Sequence, residues 1–299
     1  MVDLEKSEKL PPNRRYFNIS ILWIFYFRHV IRLLYRLRIP HEAVTATSIL
    51  FGIYSAYLFF NGMLLQAAVA LHLKDVFDAS DGALARLTGR GHLIGRYLDS
   101  LGDFLALTLV MAGIAVHSSQ GGQDIYLFWG TLAILSTFIQ CSFFNYYQLA
   151  YVEALGIKTL SSRRDERRRR DLDGRVCPRA GRIVLALLRF SYIIIYSWQD
   201  RFVAAVDDSL GGKARGISPK ARYGNRMLMT MQSALCFGTH IFIIICFALA
   251  GKPHLSLVFI GTFMNLYLLA VLYLRKRHYR SLKAHVELEK QVSVQSIRD

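Results

Sequence analysis

Little in this chain suits a secreted scaffold or a zinc protein. Cysteine is scarce: Cys141, Cys177, Cys236 and Cys246 lie far apart, most of them in or near apolar segments. No CxxC or Cys/His spacing occurs, so neither a zinc site nor a disulfide framework is expected. The start, MVDLEKSEKLPPNRR, is polar and mixed in charge and lacks the short apolar core of a cleavable signal peptide; a retained, cytoplasmic N-terminus is expected. No internal repeat stands out, and no low-complexity tract beyond one arginine run. Acidic residues are few, 21 against 37 Lys and Arg, for a formal net charge of +16. No recognition motif accompanies that charge, so no nucleic-acid partner is expected.

Apolar residues are plentiful. They make up 53% of the 299 positions, and the mean hydropathy is +0.29, more apolar than an ordinary soluble domain. The basic residues gather at the N-terminus, in a central loop and near the C-terminus. The positive-inside rule explains that distribution and makes a bilayer with anionic headgroups the expected partner.

The expected fold class is all-α integral membrane, with six transmembrane helices plus an N-terminal interfacial amphipathic helix. That first helix covers 17–38, where Arg28, Arg32 and Arg36 form a stripe and Leu33, Leu34 and Leu37 lie away from it. Pro40 breaks it. Spans follow near 41–60, 63–87, 95–117, 125–152, 226–250 and 256–274, with Asn61-Gly62 as the first turn. Residues 158–182 form a cytoplasmic basic loop. Residues 183–207 nearly span, but counting them would put RKRHYR (275–280) outside, so they read as an interfacial or re-entrant helix. The organisation is therefore a cytoplasmic 1–40, a six-span catalytic domain over 41–275 and a cytoplasmic tail over 276–299, with both termini inside.

The informative stretch is DASDGALARLTGRGHLIGRYLDSLGD, residues 78–103. Asp78 and Asp81 are three apart and Asp99 and Asp103 four apart, so each pair shares a helical face. Carboxylates in or near hydrocarbon are expensive and mark a functional site. Four on facing helices, with no clustered cation among them, suggest a metal, and Mg²⁺ or Mn²⁺ prefer oxygen ligands. Two such ions can clamp a pyrophosphate for in-line displacement. Gly82, Ala85 and Gly95 let backbone and ligand approach closely. Arg86 can pair with a phosphate, and the last carboxylate can take a proton from an attacking hydroxyl.

The spacing D-x2-D-G-x2-A-R-x8-G-x3-D-x3-D, here Asp78, Asp81, Gly82, Ala85, Arg86, Gly95, Asp99 and Asp103, resembles the signature of the CDP-alcohol phosphotransferase family without departure. The resemblance implies that Asp78, Asp81 and Asp99 ligate a two-metal Mg²⁺ or Mn²⁺ site with Asp103 close to it. It implies Asp103 as the general base on the acceptor hydroxyl. Gly82, Ala85, Arg86 and Gly95 would contact the cytidine diphosphate part of the donor. CMP would leave, and a homodimer is implied. The version expected takes a CDP-linked lipid donor, CDP-diacylglycerol, and a small alcohol acceptor in phospholipid synthesis. Relatives that use phosphorylated acceptors often carry a Tyr-x-Arg-Ala-Arg-Ala-Glu stretch. Here Tyr147–Glu153 has no arginine, which argues against a phosphorylated acceptor unless the 163–182 loop supplies the cations.

Other polar groups read more plainly. Asp75, one turn before Asp78, suits an outer-shell group, and an ion pair between Lys74 and a nearby Asp is the simple reading. Gln199, Asp200 and Arg201 read as a local salt bridge and helix end. Asp171 and Asp173 read as charge balance in the arginine loop. Two further functions stay open within the membrane class: CDP-choline or CDP-ethanolamine-type transfer to diacylglycerol, and a cation- or proton-coupled transporter. A non-catalytic adaptor using the basic loops is a third.

Overall fold

The computed structural model describes residues 10, 14–19, 24–89, 93–157, 179–211 and 216–295. Its elements are all helical: α1 (Ile24–Arg36), α2 (His41–Phe60), α3 (Leu64–Thr88), α4 (Leu93–Ser119), α5 (Ile125–Ala154), α6 (Arg179–Leu210), α7 (Pro219–Tyr223), α8 (Arg226–Ser233), α9 (Phe237–Leu249), α10 (His254–Gly261) and α11 (Phe263–Gln295). The polarity is that of a membrane protein. Leu50, Tyr57, Leu65, Leu135, Leu266 and Leu269 face outward, whereas Thr45, Ser48, Ser55, Gln140 and His240 are buried.

Among the described residues four helices are long and apolar enough to cross a membrane: His41–Phe60, Tyr97–Ser119, Ile125–Ala154 and His254–Leu288. The pair Arg226–Ser233 and Phe237–Leu249 makes a fifth if its 44° bend lies within one span. The expected span over 226–250 is built as these two helices. The break falls at 234–236, and the side chain of Asn225 caps the first of the pair at the amides of Met227 and Leu228. The remaining expected span, the second, is α3; it is 25 residues long but carries Lys74, Asp75, Asp78, Asp81 and Arg86, so it falls outside the apolar set. The last helix runs far past the expected end at 274, to Gln295.

The described part of the N-terminal helix is Ile24–Arg36. Residues 17–19 are not α-helical; Phe17 instead accepts the Ser233 hydroxyl at 2.6 Å. Within α1, Ile31 and Leu34 are buried while Leu33 is exposed, as is Leu37 just past its end. The arginine loop over 158–178, with Asp171 and Asp173, and the connection at 90–92 lie outside the described residues.

Pro40, extended at ψ 142°, starts α2. Gly62, at φ +72°, turns the chain into α3, where L side chains are strained. One face of α2 crosses α3 through hydroxyl–carbonyl bonds, Ser48 to Lys74 O at 3.1 Å and Ser55 to Ala67 O at 2.9 Å. Another meets α4 through small residues. A Cβ at Gly113 would come 2.8 Å from the Ala56 carbonyl oxygen, so only glycine permits this approach. On the far side, α5 meets α9 and α11 through a buried polar chain. Gln140 Nε2 donates to Asn265 Oδ1 at 2.7 Å, Asn265 Nδ2 to Ser136 Oγ at 2.8 Å, and His240 Nε2 lies 2.7 Å from Gln140 Oε1.

A second polar tie was not legible in the sequence. Asp207 of α6 is fully buried. It accepts from the hydroxyls of Tyr147 at 2.9 Å, Tyr279 at 2.8 Å, Tyr223 at 2.8 Å and Tyr146 at 3.3 Å. Burial first and the Asp207 charge second push the Tyr223 phenol up to about 12, so it stays a donor. Arg275 lies 3.4 Å over the Tyr147 ring. One carboxylate therefore joins α5, α6, α7 and α11. Asp207→Ala leaves four hydroxyls without their acceptor and is expected to cost about 3 kcal/mol or more of stability, read as a lowered denaturation midpoint in detergent. A wild-type midpoint would show that Asp207 is not the tie.

Candidate active site

Helices α3 and α4 run in opposite directions from a short connection, so carboxylates within four turns of it on both helices come face to face. One oxygen each of Asp78, Asp99 and Asp103 lies within 4.8 Å of the others. These are hard oxygen donors, and the spacing fits a divalent ion such as Mg²⁺ or Mn²⁺. Asp81, the fourth expected member, is buried at 6% exposure and takes the Thr45 hydroxyl at 2.5 Å. The structure thus gathers three of the four carboxylates and ties the fourth to α2.

The expectation that no cation sits among the carboxylates is corrected. Lys74, one turn before Asp78, is 3% exposed. Its Nζ bonds Asp103 Oδ1 and lies 3.6 Å from Asp78 Oδ2. The ion pair read for Lys74 from the sequence is present, and it is made with the site itself. Buried carboxylates without a positive partner would be costly here, which is the physical reason for the pairing.

Gly82, Ala85 and Arg86 continue the Asp78 face towards the end of α3 at i+4, i+7 and i+8. All three are half-buried. A Cβ on Gly82 would stand 3.4 Å from Arg86 Nη1, so the guanidinium folds back beside the glycine. Gly95 lies in the first turn of α4. Asp75 makes no hydrogen bond or ion pair among the described residues, and the outer-shell expectation gains no contact. Its neighbour His72 instead lies 2.6 Å from the Tyr26 hydroxyl, tying α1 to α3. Burial, and then the charge of Asp75, push the Tyr26 phenol up to about 12.

The end of α5, Tyr147–Glu153, carries no cation. Gln148 Nε2 bonds the Tyr16 hydroxyl at 2.5 Å and the Tyr151 hydroxyl bonds the Arg14 carbonyl at 3.0 Å. Gln199 does not end a helix: α6 continues to Leu210. The Gln199 amide oxygen accepts the Ser142 hydroxyl, and its Nε2 donates to Ile195 O at 2.9 Å. Sequence reasoning missed Thr45 and Asp207. Thr45 carries a signal, since it begins the stripe Thr45, Ser48, Gly52, Ser55 on α2; Asp207 carries none beyond being an acidic residue in an apolar helix.

Residues 39–162 match the family model described as CDP-alcohol phosphatidyltransferase. The match spans less than half of the chain, runs from the start of α2 past α5, and contains every residue of the motif. It bears out, over that segment, the resemblance carried by the eight motif positions, and it sets them among several apolar helices that fit a multi-pass membrane protein. Comparison with curated proteins gives no significant match.

Proposed function

We propose that this chain transfers a phosphatidyl group from CDP-diacylglycerol to a small polar alcohol and releases CMP. The observation that carries the reading is the three-carboxylate group of Asp78, Asp99 and Asp103, placed inside the segment that matches the family. In this reading α3 is also a span, which makes six, its charges serving the site, while α1 and α6 lie in the interface. The basic segments near 14–38, 86–90, 158–182 and 275–283 face the cytoplasm, and with them the site and both termini. The working unit is a homodimer.

Asp78, Asp81 and Asp99 would hold two Mg²⁺ or Mn²⁺ ions, with Asp103 adjoining. When bound, these ions neutralise the donor pyrophosphate and the developing charge on the leaving oxygen. Arg86 donates to a phosphate oxygen. Gly82, Ala85 and Gly95 leave room for the cytidine diphosphate. Asp103 takes the proton from the acceptor hydroxyl as its oxygen forms a bond to the phosphorus on the alcohol side. The pyrophosphate P–O bond breaks, and CMP leaves with the electron pair. The two long apolar faces of α2 and α4 keep the lipid portion of the donor in the bilayer while its head reaches the carboxylates.

The test supplies purified protein in lipid with Mg²⁺ and acyl-labelled CDP-diacylglycerol. Serine, inositol, inositol phosphate, glycerol phosphate, choline and ethanolamine are added separately. Label is expected in a new phospholipid with a neutral or amine-bearing alcohol. Label entering lipid only from CDP-choline or CDP-ethanolamine with diacylglycerol would reverse donor and acceptor. No transfer from any donor would overturn the proposal.

A further inference from the structure

Lys74 is set into the carboxylate group by three helices. Its ammonium bonds Asp103 Oδ1 from α3 across to α4 and approaches Asp78 Oδ2 to 3.6 Å. Its stem runs through space that α2 leaves open, since a Cβ at Gly52 would stand 3.4 Å from Lys74 Cγ. Its carbonyl takes the Ser48 hydroxyl at 3.1 Å. The side chain is 3% exposed, so the ammonium has no route to solvent that keeps it solvated. Lys74 precedes Asp78 by one turn and Asp103 follows Asp99 by one turn. Both therefore lie on the side of the group farther from the α3–α4 connection, and the ammonium closes that side.

Two of the three carboxylates able to hold a metal are thus shared with a cation that is covalently part of the chain. We propose that Lys74 is a positioning residue of the transferase site: a tethered cation that fixes Asp103 through one oxygen and competes with divalent metal for Asp78 and Asp103. This rests on the metal-dependent reading above. It has two consequences with opposite signs. Like charges repel in a partly desolvated site, so the ammonium weakens metal binding and keeps the ions exchangeable. At the same time it holds Asp103, leaving Oδ2 without a hydrogen bond among the described residues and directed by a rigid partner rather than by a mobile one.

The test compares wild type with Lys74→Met, which keeps most of the stem and removes the charge. Mn²⁺ binding is read from the loss of the free-ion electron paramagnetic resonance signal. The variant is expected to bind Mn²⁺ at least about tenfold more tightly. Its kcat for CMP release is expected to fall about a hundredfold, because Asp103 is no longer held. The KM for CDP-diacylglycerol stays within about threefold. A merely structural lysine would lower stability without tightening Mn²⁺ binding. Unchanged or weaker Mn²⁺ binding in Lys74→Met, with wild type binding normally, overturns the role of Lys74 alone. No Mn²⁺ binding to wild type overturns the metal reading as well. Should Lys74→Met fail to fold, the double variant Lys74→Met/Asp103→Asn decides. Removing the uncompensated carboxylate is expected to restore metal-free folding, and no restoration contradicts the pairing.

Discussion

Asp103→Asn is expected to lower CMP release by about a thousandfold, the range of a lost general base, while donor binding persists. The substitution is a clean probe because asparagine keeps the shape and still offers an oxygen to the Lys74 ammonium, which bonds Asp103 Oδ1 in the native site. What it loses is the ability to take a proton. The companion changes Asp78→Asn and Asp81→Asn are expected to abolish turnover by a different route, the loss of a metal ligand. The two routes separate in a binding measurement: Asp103→Asn retains CDP-diacylglycerol affinity in the presence of Mg²⁺, and Asp78→Asn does not. Near-wild-type kcat in Asp103→Asn would show that another group accepts the proton. Asp81 is the more discriminating of the two ligand positions, because Thr45 already bonds it at 2.5 Å. Full activity in Asp81→Asn would make it a support for α2 rather than a ligand.

Metal removal has the second largest expected effect. EDTA is expected to reduce CMP release to background, and added Mg²⁺ or Mn²⁺ to restore it in the same preparation. The oxygens of Asp78, Asp99 and Asp103 lie within 4.8 Å of one another, and Lys74 supplies only one positive charge against them. A dication therefore has a place and a charge deficit to fill. Its binding should also raise folding stability, by about 2.7 kcal/mol at a hundredfold excess over Kd, seen as a higher thermal midpoint with Mg²⁺ than with EDTA. Turnover that survives exhaustive chelation would remove the two-ion mechanism.

The parts of the fold governed by local pattern were legible in the sequence. The expected span 41–60 is α2, His41–Phe60, and the expected 125–152 is α5, Ile125–Ala154. Pro40 and Asn61-Gly62 mark ends by backbone restrictions that act within a few residues. The acidic faces of α3 and α4 were legible for the same reason, since spacings of three and four place side chains on one side of a helix. Helix ends set by tertiary contacts were not legible. Nothing local marks 17–19 as non-helical, and the contact that Phe17 O makes there is long-range, with the Ser233 hydroxyl. The bend after Ser233 interrupts an apolar run without a proline.

The site divides in the same way. The sequence places Asp78, Asp81, Asp99 and Asp103 on the right faces, but which of them meet depends on how deeply α2 seats against α3 and α4. That depth is set by Gly52, Gly102 and Gly113 on the contact with α2 and α4. It brings Thr45 onto Asp81 and Lys74 onto Asp103, two contacts between residues 36 and 29 positions apart. Neither leaves a periodic signal. The buried Asp207 with its four tyrosines is of the same kind, a junction between helices that each look ordinary alone.

The most direct test of the central claim follows an oxygen atom. Wild-type protein with Mg²⁺ and CDP-diacylglycerol is given an acceptor that supports CMP release, labelled with ¹⁸O at its hydroxyl. Displacement at the alcohol-side phosphorus predicts that the label is retained in the phosphodiester of the new lipid and that the CMP carries none. Label in the nucleotide phosphate, or lipid formed without the acceptor oxygen, would contradict it.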